Sequence, residues 1–279
     1  MSLFRRVISA LEKIAPLSLA DTKDNVGLLV EPPYPRELAS RVFLTIDLTT
    51  EVLEEALSDP KVGFIVAYHP PIFRTFKRLT LTDTKQAIVM KCVAKGVGVY
   101  SPHTALDSCI GGVNDWLAKG LGSGKTKVIT PFENTPPGHE GTGSGRIFTY
   151  DQPTPLSNVI ENVKKHLRLQ HVRVATAARH KSELISTVGI CAGSGSSILS
   201  HLNTDLYFTG EMSHHDVLAA LAHDTSVILC EHTNTERGYL LDVLKPELER
   251  ILQSSADVNI DAQIEVCVSQ LDSNPIKII

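Results

Sequence analysis

The residues of this sequence that could do metal or acid–base chemistry lie where apolar, strand-like runs end. Four segments share this layout and deliver imidazole or carboxylate groups at the end of the run: VAYHPPIF, VYSPHTALD, FTGEMSHHD and ILCEHTNTERG. Because open α/β sheets bind ligands at the ends of their strands, we expect these groups to converge. Imidazole and carboxylate are the ligand set of Zn, Mn, Fe or Ni. The sequence therefore predicts a site for one or two divalent transition metal ions per chain.

The segment ILCEHTNTERG has the most informative residue spacing of the four. His232 and Glu236 are four residues apart, which places both side chains on one face of a helix. Thr235 is a candidate N-cap for the helix that follows, whose apolar face would be Tyr239, Leu240, Val243 and Leu244. If Asp107 and Glu236 each bridge two cations, His69 and His232 can complete a dinuclear site that activates a water molecule.

Each of these residues also has an ordinary structural interpretation. His69, which precedes Pro70 and Pro71, equally suits a residue that closes a strand and hydrogen-bonds a loop carbonyl. His103 and Asp107 could form a satisfied polar pair or a helix cap. The sequence leaves these alternatives open.

A second candidate is the turn CAGSGSS. Its Gly193, Ser194 and Gly195 follow a strand and precede a helix, so their N–H groups could hold a phosphate. The turn equally suits a tight connection that needs a positive φ, and it lacks the lysine of a phosphate-binding loop. Arg237 could hold a substrate phosphate or pair with a surface acid. Asp24 and Asn25 are typical of a turn before a strand.

The segments between these ends alternate strand and helix patterns, which predicts an α/β fold. The N-terminal segment reads as a helix begun by Ser2 and stopped by Pro16. Proline is expected to break the last helix at Pro246, and QIEVCVS (263–269) is expected to form a final strand. We predict two similar α/β lobes with mixed sheets flanked by helices.

A break in composition suggests where the lobes meet. The stretch 131–144 is rich in proline and glycine and shows no periodicity. Such segments are typical of domain boundaries. The predicted lobes are therefore residues 1–130 and 131–279.

Composition excludes several classes of protein. The net charge of −4 disfavours direct nucleic-acid binding, which needs a clustered basic surface. No apolar run approaches the length of a membrane span. The five scattered cysteines indicate a reducing compartment. The cytoplasm is the expected location, and the arginine-bearing N-terminus leaves the mitochondrion open.

Several motifs occur together in one order along nearly the whole chain. They are DNVGLLVE, LTIDLT, YHPPIF, SPHTALDS, GSGRIF, CAGSGSS, FTGEMSHHDVLAAL and EHTNTERGYL. In this the chain resembles the Nif-three-like family, also called GTP cyclohydrolase I type 2 homologues, and its YHPPIF form resembles the eukaryotic branch.

The resemblance implies a two-lobed protomer in a ring-like homohexamer with dinuclear metal sites. It places the family's metal ligands on His69, Asp107, His232 and Glu236. Where the family tends to have another histidine, this chain has Tyr68. A phenol is a poorer ligand than imidazole at neutral pH because its hydroxyl stays protonated. The second ion is then held loosely, or His103 is recruited.

The same resemblance implies a function. The family label points to GTP, attacked at the purine by a metal-activated water, with Glu236 and His103 as candidate catalytic groups. A broader hypothesis is a metal-dependent hydrolase of a nucleotide-like or phosphorylated small molecule. The alternative is a non-catalytic regulatory protein that binds a protein partner and keeps a structural metal, because fold does not fix function.

Overall fold

The computed structural model describes residues 2–254 and 264–277. The strands are β1 (Gly27–Val30), β2 (Arg41–Thr45), β3 (Val62–Ala67), β4 (Gly98–Ser101), β5 (Gly124–Pro131), β6 (Gly143–Thr154), β7 (Arg173–Ala175), β8 (Ile185–Ser194), β9 (Leu206–Glu211), β10 (Ser226–Leu229) and β11 (Glu265–Val268). The α-helices are α1 (Leu3–Ile14), α2 (Thr50–Ser58), α3 (Thr84–Ala94), α4 (His103–Ser108), α5 (Val113–Lys119), α6 (Leu156–Leu167), α7 (Ser196–Leu199), α8 (His214–Ala222), α9 (Arg237–Tyr239) and α10 (Lys245–Ser254). Shorter 3₁₀ turns cover Leu17–Leu19, Ala178–Lys181 and His232–Thr235.

The chain folds into two compact units. The first contains Met1–Leu106 and Tyr239–Ser273, and the second contains Asp107–Gly238 and Asn274–Ile279. This division differs from the lobes 1–130 and 131–279 that the composition suggested. The stretch 131–144 falls in the connection between β5 and β6, which pair antiparallel within the second unit.

The sheet of the first unit has the strand order β1-β4-β3-β2-β11. Four adjacent strands are parallel to one another, namely β4, β3, β2 and β11. At the edge of the sheet, β1 pairs antiparallel with β4. Every residue of β3 is buried, as expected for the centre of a sheet covered on both faces. The predicted final strand is present as β11, although Gln263 lies outside the described residues.

The sheet of the second unit has the strand order β5-β6-β8-β9-β10-β7. The central strands β8, β9 and β10 are parallel, and the strands on both sides pair antiparallel. The predicted α/β class with mixed sheets and flanking helices is therefore confirmed. The strand β5 was not predicted, because its exposed run of lysine and threonine carries no apolar period.

Helix ends follow the local chemistry of the sequence. The side chain of Thr49 accepts a hydrogen bond from the Val52 N–H and caps α2. Asp83 caps α3 in the same way through the Gln86 N–H. Of the helices in the described residues, none is long and apolar enough to cross a membrane.

The expectation that Pro246 breaks the last helix is wrong. The helix α10 begins at Lys245 and continues through this proline to Ser254. A π-helical segment, Leu240–Leu244, directly precedes it. Proline cannot donate a backbone hydrogen bond, but near the start of an α-helical stretch that donor is not needed. The wider π turn therefore accommodates the proline.

A buried arginine fastens the start of the second unit. The side chain of Arg146, on β6, is 1% exposed and pairs with the carboxylate of Asp115 on α5. The same guanidinium donates to the backbone carbonyls of Ser108, the last residue of α4, and of Cys109, which follows it. A guanidinium in the interior requires such partners, because an unpaired buried charge is strongly destabilising. This network fixes the backbone directly after Asp107.

We predict that Asp115→Ala lowers the free energy of unfolding by about 3–5 kcal/mol, because Arg146 is then buried without a carboxylate. The matched control is Glu247→Ala, whose partner Arg250 is exposed. That change is expected to cost less than about 1 kcal/mol. Urea titration of both variants measures the difference, and equal losses would refute the role given to the buried pair.

Candidate metal centre

His69 lies two residues beyond the end of β3. Its backbone N–H still donates to the carbonyl of Ile46, so the neighbouring chain holds it in place. Its Nδ1 lies 3.0 Å from Oδ1 of Asp47. Because a carboxylate only accepts hydrogen bonds, the ring carries its hydrogen on Nδ1 and directs the Nε2 lone pair away from Asp47. This is the tautomer that a metal-binding imidazole needs.

His103 repeats the arrangement at the end of β4. It begins α4 with a positive φ of 28°, an uncommon backbone conformation outside glycine. Its Nδ1 lies 2.7 Å from Oδ2 of Asp24. The same oxygen accepts hydrogen bonds from the N–H and the hydroxyl of Thr104. Burial raises the pKa of Asp24, but the hydrogen bonds from His103 and Thr104 outweigh it and hold that pKa below its ordinary value.

The phenol ring of Tyr68 lies beside both imidazoles. Its ring centre is 5.2 Å from that of His69 and 5.6 Å from that of His103, edge to face in both cases. The two imidazoles are 5.3 Å apart, centre to centre. We call Tyr68, His69 and His103 the first-unit cluster. The structure thus brings these three predicted residues together, and the role of the phenol as a ligand stays a prediction.

In the second unit, His232 follows β10 and its two ring nitrogens have different partners. Nδ1 lies 2.9 Å from Oε1 of Glu211, at the end of β9. Nε2 lies 3.4 Å from Oε1 of Glu236. The side chain of Glu236 is 3% exposed, whereas that of His232 is about one-third exposed. The side chains of His232 and Glu236 therefore lie close together.

The local backbone reaches this result in an unexpected way. His232–Thr235 is a 3₁₀ turn rather than the start of an α-helix. The expectation that Thr235 is an N-cap is wrong, because its hydroxyl donates to the carbonyl of His232 and accepts from the N–H of Gly193. A 3₁₀ turn aligns residues three positions apart, so the i, i+4 spacing alone does not bring this pair together. Glu236 lies one residue beyond the turn, with a φ of −123°.

The backbone of Gly193 lies directly against the His232–Glu236 pair. Its φ of +61° is in the left-handed region. A Cβ at this position would lie 2.8 Å from Nε2 of His232 and 2.8 Å from Oε1 of Glu236. Only glycine allows so close an approach of backbone to these two groups.

The other residues of the glycine turn are engaged within the fold. The N–H of Gly195 donates to the carbonyl of Glu211. A Cβ on Gly195 would lie 2.4 Å from the hydroxyl oxygen of Thr209. Packing accounts for both glycines, and phosphate binding by Gly193, Ser194 and Gly195 stays a prediction. Arg237 donates to the hydroxyl of Thr233, and phosphate binding by Arg237 is likewise a prediction.

Asp107 belongs to the same unit as the His232–Glu236 pair. Its carbonyl accepts a hydrogen bond from Asn114, whose side-chain oxygen accepts from the N–H of Ala192 at the end of β8. Burial raises the pKa of the Cys191 thiol well above its ordinary value, and the negative charges of Asp107 and Glu236 raise it further. We call Asp107, His232 and Glu236 the second-unit cluster.

The carboxylates behind the histidines were not identified from the sequence. No local pattern singles out Asp47, Asp24 fits an ordinary turn before a strand, and Glu211 is one residue of a strand-end segment. In two of the three cases the pairing of neighbouring strands identifies the carboxylate once that pairing is known. Thr45 pairs with Ala67, and Asp47 and His69 each lie two residues further on. Thr209 pairs with Leu229, and Glu211 and His232 follow by two and three residues.

The donor chemistry of these residues suits a divalent transition metal ion. Imidazole nitrogens and carboxylate oxygens are ordinary ligands of Zn, Mn, Fe and Ni. Within the described part of the chain, His69, His232 and Glu236 are possible metal ligands. In a metal-binding imidazole, the ring nitrogen that does not bind the metal usually donates a hydrogen bond, often to a carboxylate. His69 and His232 each have a carboxylate at Nδ1.

Comparison with known proteins points to one family. Residues 2–275 match the model of a family described as Duf34/NIF3 (NGG1p interacting factor 3). The chain is 46% identical to a Schizosaccharomyces pombe protein named Protein NIF3 homolog, over 95% of this chain and 94% of that protein. It is 37% identical to the Saccharomyces cerevisiae protein named NGG1-interacting factor 3, over 98% and 96%. The crystal structure of a Bacillus cereus protein related to NIF3 has the same fold, with a TM-score of 0.80, 20% identity and coverage of 99% and 98%.

We predict that Gly193→Ala disturbs the His232–Glu236 pair. The left-handed φ alone should cost about 1–2 kcal/mol of unfolding free energy. The collision with both side chains should add about 1–3 kcal/mol and displace the His232 ring. Urea titration gives the first quantity, and the NMR signals of the imidazole report the second.

Gly111→Ala is the matched control. Gly111 has a similar φ of +71°, but a Cβ there meets nothing within 4 Å. The Gly111→Ala variant should therefore lose only the unfolding free energy that the left-handed backbone costs, and its His232 NMR signals should stay unchanged. Equal stability losses and unshifted imidazole signals in both variants would exclude a steric role for Gly193.

Proposed function

The chain belongs to the Duf34/NIF3 family, and we propose that it is a metal-dependent hydrolase of a nucleotide-like or phosphorylated small molecule. One observation carries the proposal. Three histidines, His69, His103 and His232, each have Nδ1 within hydrogen-bond distance of a carboxylate. Metal-binding imidazoles commonly donate the N–H of their other ring nitrogen to a carboxylate, and the same contact orients imidazoles that transfer protons.

We propose that the ligands are His69, Asp107, His232 and Glu236, with Tyr68 as a weaker fifth group. They would hold one or two ions of Zn, Mn, Fe or Ni. A bound ion of this kind lowers the pKa of a water molecule and stabilises negative charge on a reacting oxygen. The chain's own contribution is orientation, since Asp47 sets the tautomer of His69 and Glu211 holds the His232 ring through Nδ1 before any ligand arrives.

His103 and Glu236 are the proposed catalytic groups. The Nδ1 of His103 is held by Asp24, so its Nε2 can accept or donate a proton while the ring keeps its place. Glu236 is nearly inaccessible to water, and a carboxylate in such surroundings interacts strongly with any nearby cation. Arg237 and the turn formed by Gly193, Ser194 and Gly195 are proposed as contacts to a substrate phosphate.

We predict that the purified protein contains one to two equivalents of transition metal per chain by elemental analysis. Glu236→Ala should lose most of that metal because a buried ligand is removed. Glu211→Gln should keep the fold and weaken metal affinity by about 10–100-fold, because the His232 ring loses the anion behind Nδ1. Competition with a chromogenic chelator measures that affinity.

The matched control for the metal measurement is Glu249→Ala. Glu249 lies on α10 and pairs with Lys245 at the surface, so its loss removes a carboxylate without touching either cluster. This variant should bind metal like the wild type. Wild-type protein without metal, prepared in medium that supplies Zn, Mn, Fe and Ni, would overturn the proposal.

A second candidate function is a non-catalytic protein with a structural metal and a protein partner. The observation in its favour is the name of the Saccharomyces cerevisiae relative, which describes that protein as an interacting factor. The homohexamer implied by the family resemblance is compatible with either function. Light scattering measures the assembly directly.

We expect removal of the metal to separate the two functions. For the proposed hydrolase, EDTA should abolish turnover in a screen of nucleotides and phosphoesters and leave the assembly intact. For a structural metal, EDTA should instead lower the melting temperature and dissociate the assembly, because binding energy is then folding energy. An unchanged assembly with no turnover on any substrate in the presence of metal would favour neither hydrolysis nor a structural ion.

A further inference from the structure

A cavity of about 520 Å³ lies in the first unit, on the segment that continues from His69. Its lining includes Pro70 and Pro71 and residues at the start of α3. Cavities of this size suit a small molecule rather than a macromolecule. Of the four predicted strand-end segments, VAYHPPIF contributes Pro70, Pro71 and Phe73 to the described lining, and the residues of the glycine turn are not part of that lining.

The lining of the cavity is cationic in a chain that is acidic overall. Four exposed basic side chains face it, with one carboxylate, Asp83. They are Arg74, Lys77, Arg78 and Lys85. Within the part of the chain that the structure describes, none of these four side chains forms an ion pair. Four unpaired like charges around one concavity repel one another and raise the local concentration of anions.

Two phenylalanines share this lining. Phe73 is 65% exposed, which is unusual for so large an apolar side chain. Phe76 is partly buried and packs against the hydrophobic core of the first unit. An exposed ring beside guanidinium and ammonium groups offers a face on which a planar heterocycle can stack. Cation and ring together are the recognition chemistry of a phosphorylated aromatic molecule.

The cavity is built on an anchored segment. The side-chain oxygen of Gln86 accepts hydrogen bonds from the N–H and the hydroxyl of Thr80, which ties the loop to α3. At the other end, the carbonyl of Ile72 accepts from the side chain of Asn25. The two prolines restrict the backbone between His69 and Ile72. The basic groups are therefore presented from a loop held at both ends, which reduces the entropy lost on binding.

We propose that this cavity binds a nucleoside phosphate, with Arg74, Lys77, Arg78 and Lys85 on the phosphate groups and Phe73 and Phe76 against the base. The inference does not require a metal ion, and it can fail or hold independently of the proposed hydrolase. It identifies a phosphate-binding surface different from the glycine turn and Arg237.

The test is equilibrium binding of ATP, inorganic triphosphate and adenosine by calorimetry, on the protein as purified and again with excess EDTA. Arg74→Gln combined with Lys77→Gln should weaken ATP and triphosphate binding by at least about tenfold, since a charge-assisted hydrogen bond contributes on that order. Phe73→Ser should weaken ATP by about fivefold or more and leave triphosphate unchanged. All three side chains are exposed, so the fold should persist.

Lys125→Gln combined with Lys127→Gln is the control of equal charge. Both lysines are exposed on β5, in the second unit. This variant should bind ATP within about twofold of the wild type, because diffuse charge contributes little at physiological salt.

Three outcomes would overturn the proposal. The first is an equal loss of ATP affinity in the two double variants. The second is ATP binding that disappears with EDTA and does not depend on Arg74 and Lys77. The third is no ATP binding at millimolar concentration. The second outcome would place ATP at the metal centre and leave the proposed hydrolase standing. Tighter binding of a single-stranded oligonucleotide than of ATP through the same residues would also refute a small-molecule site.

Discussion

The arrangement of both clusters depends on one constraint, which is the pairing of each strand-end imidazole with a carboxylate at Nδ1. A neutral imidazole has one donor and one acceptor nitrogen, and the partner of one nitrogen decides the chemistry of the other. In His69 the partner is Asp47, and in His232 it is Glu211. The sheet supplies these partners, because neighbouring parallel strands end at the same edge and place their following residues side by side.

Much of this could be predicted from the sequence, and the limit has a clear physical origin. An apolar run followed by histidine is visible in one dimension, so His69, His103 and His232 could be selected directly. Their carboxylates could not, because a partner is assigned only when strand order is known. Asp24 lies 79 residues before His103, and the antiparallel pairing of β1 with β4 brings the two together. No local pattern contains that information.

The same limit explains the division of the chain. A final apolar strand was expected, but its period does not say which sheet it joins, since any parallel strand shows the same buried run. β11 pairs with β2, more than two hundred residues earlier, and so the C-terminal segment belongs largely to the first unit. The proline- and glycine-rich stretch that suggested a boundary is a connection between two antiparallel strands, which also requires such residues.

The first-unit cluster and the cationic cavity are features of one continuous segment. His69 lies two residues beyond the strand β3, the two prolines follow it, and the basic loop begins three residues later at Arg74. A loop that carries four cations and an exposed aromatic ring has less favourable folding energetics than a neutral one, because like charges repel and apolar surface remains in water. Its ends are nonetheless fastened by Asn25 and Gln86. A segment held in an unfavourable arrangement by specific hydrogen bonds is expected where a ligand supplies the missing charge and covers the ring. The nearby His69, with its tautomer set by Asp47, then lies on the same fixed backbone as the groups that would bind that ligand.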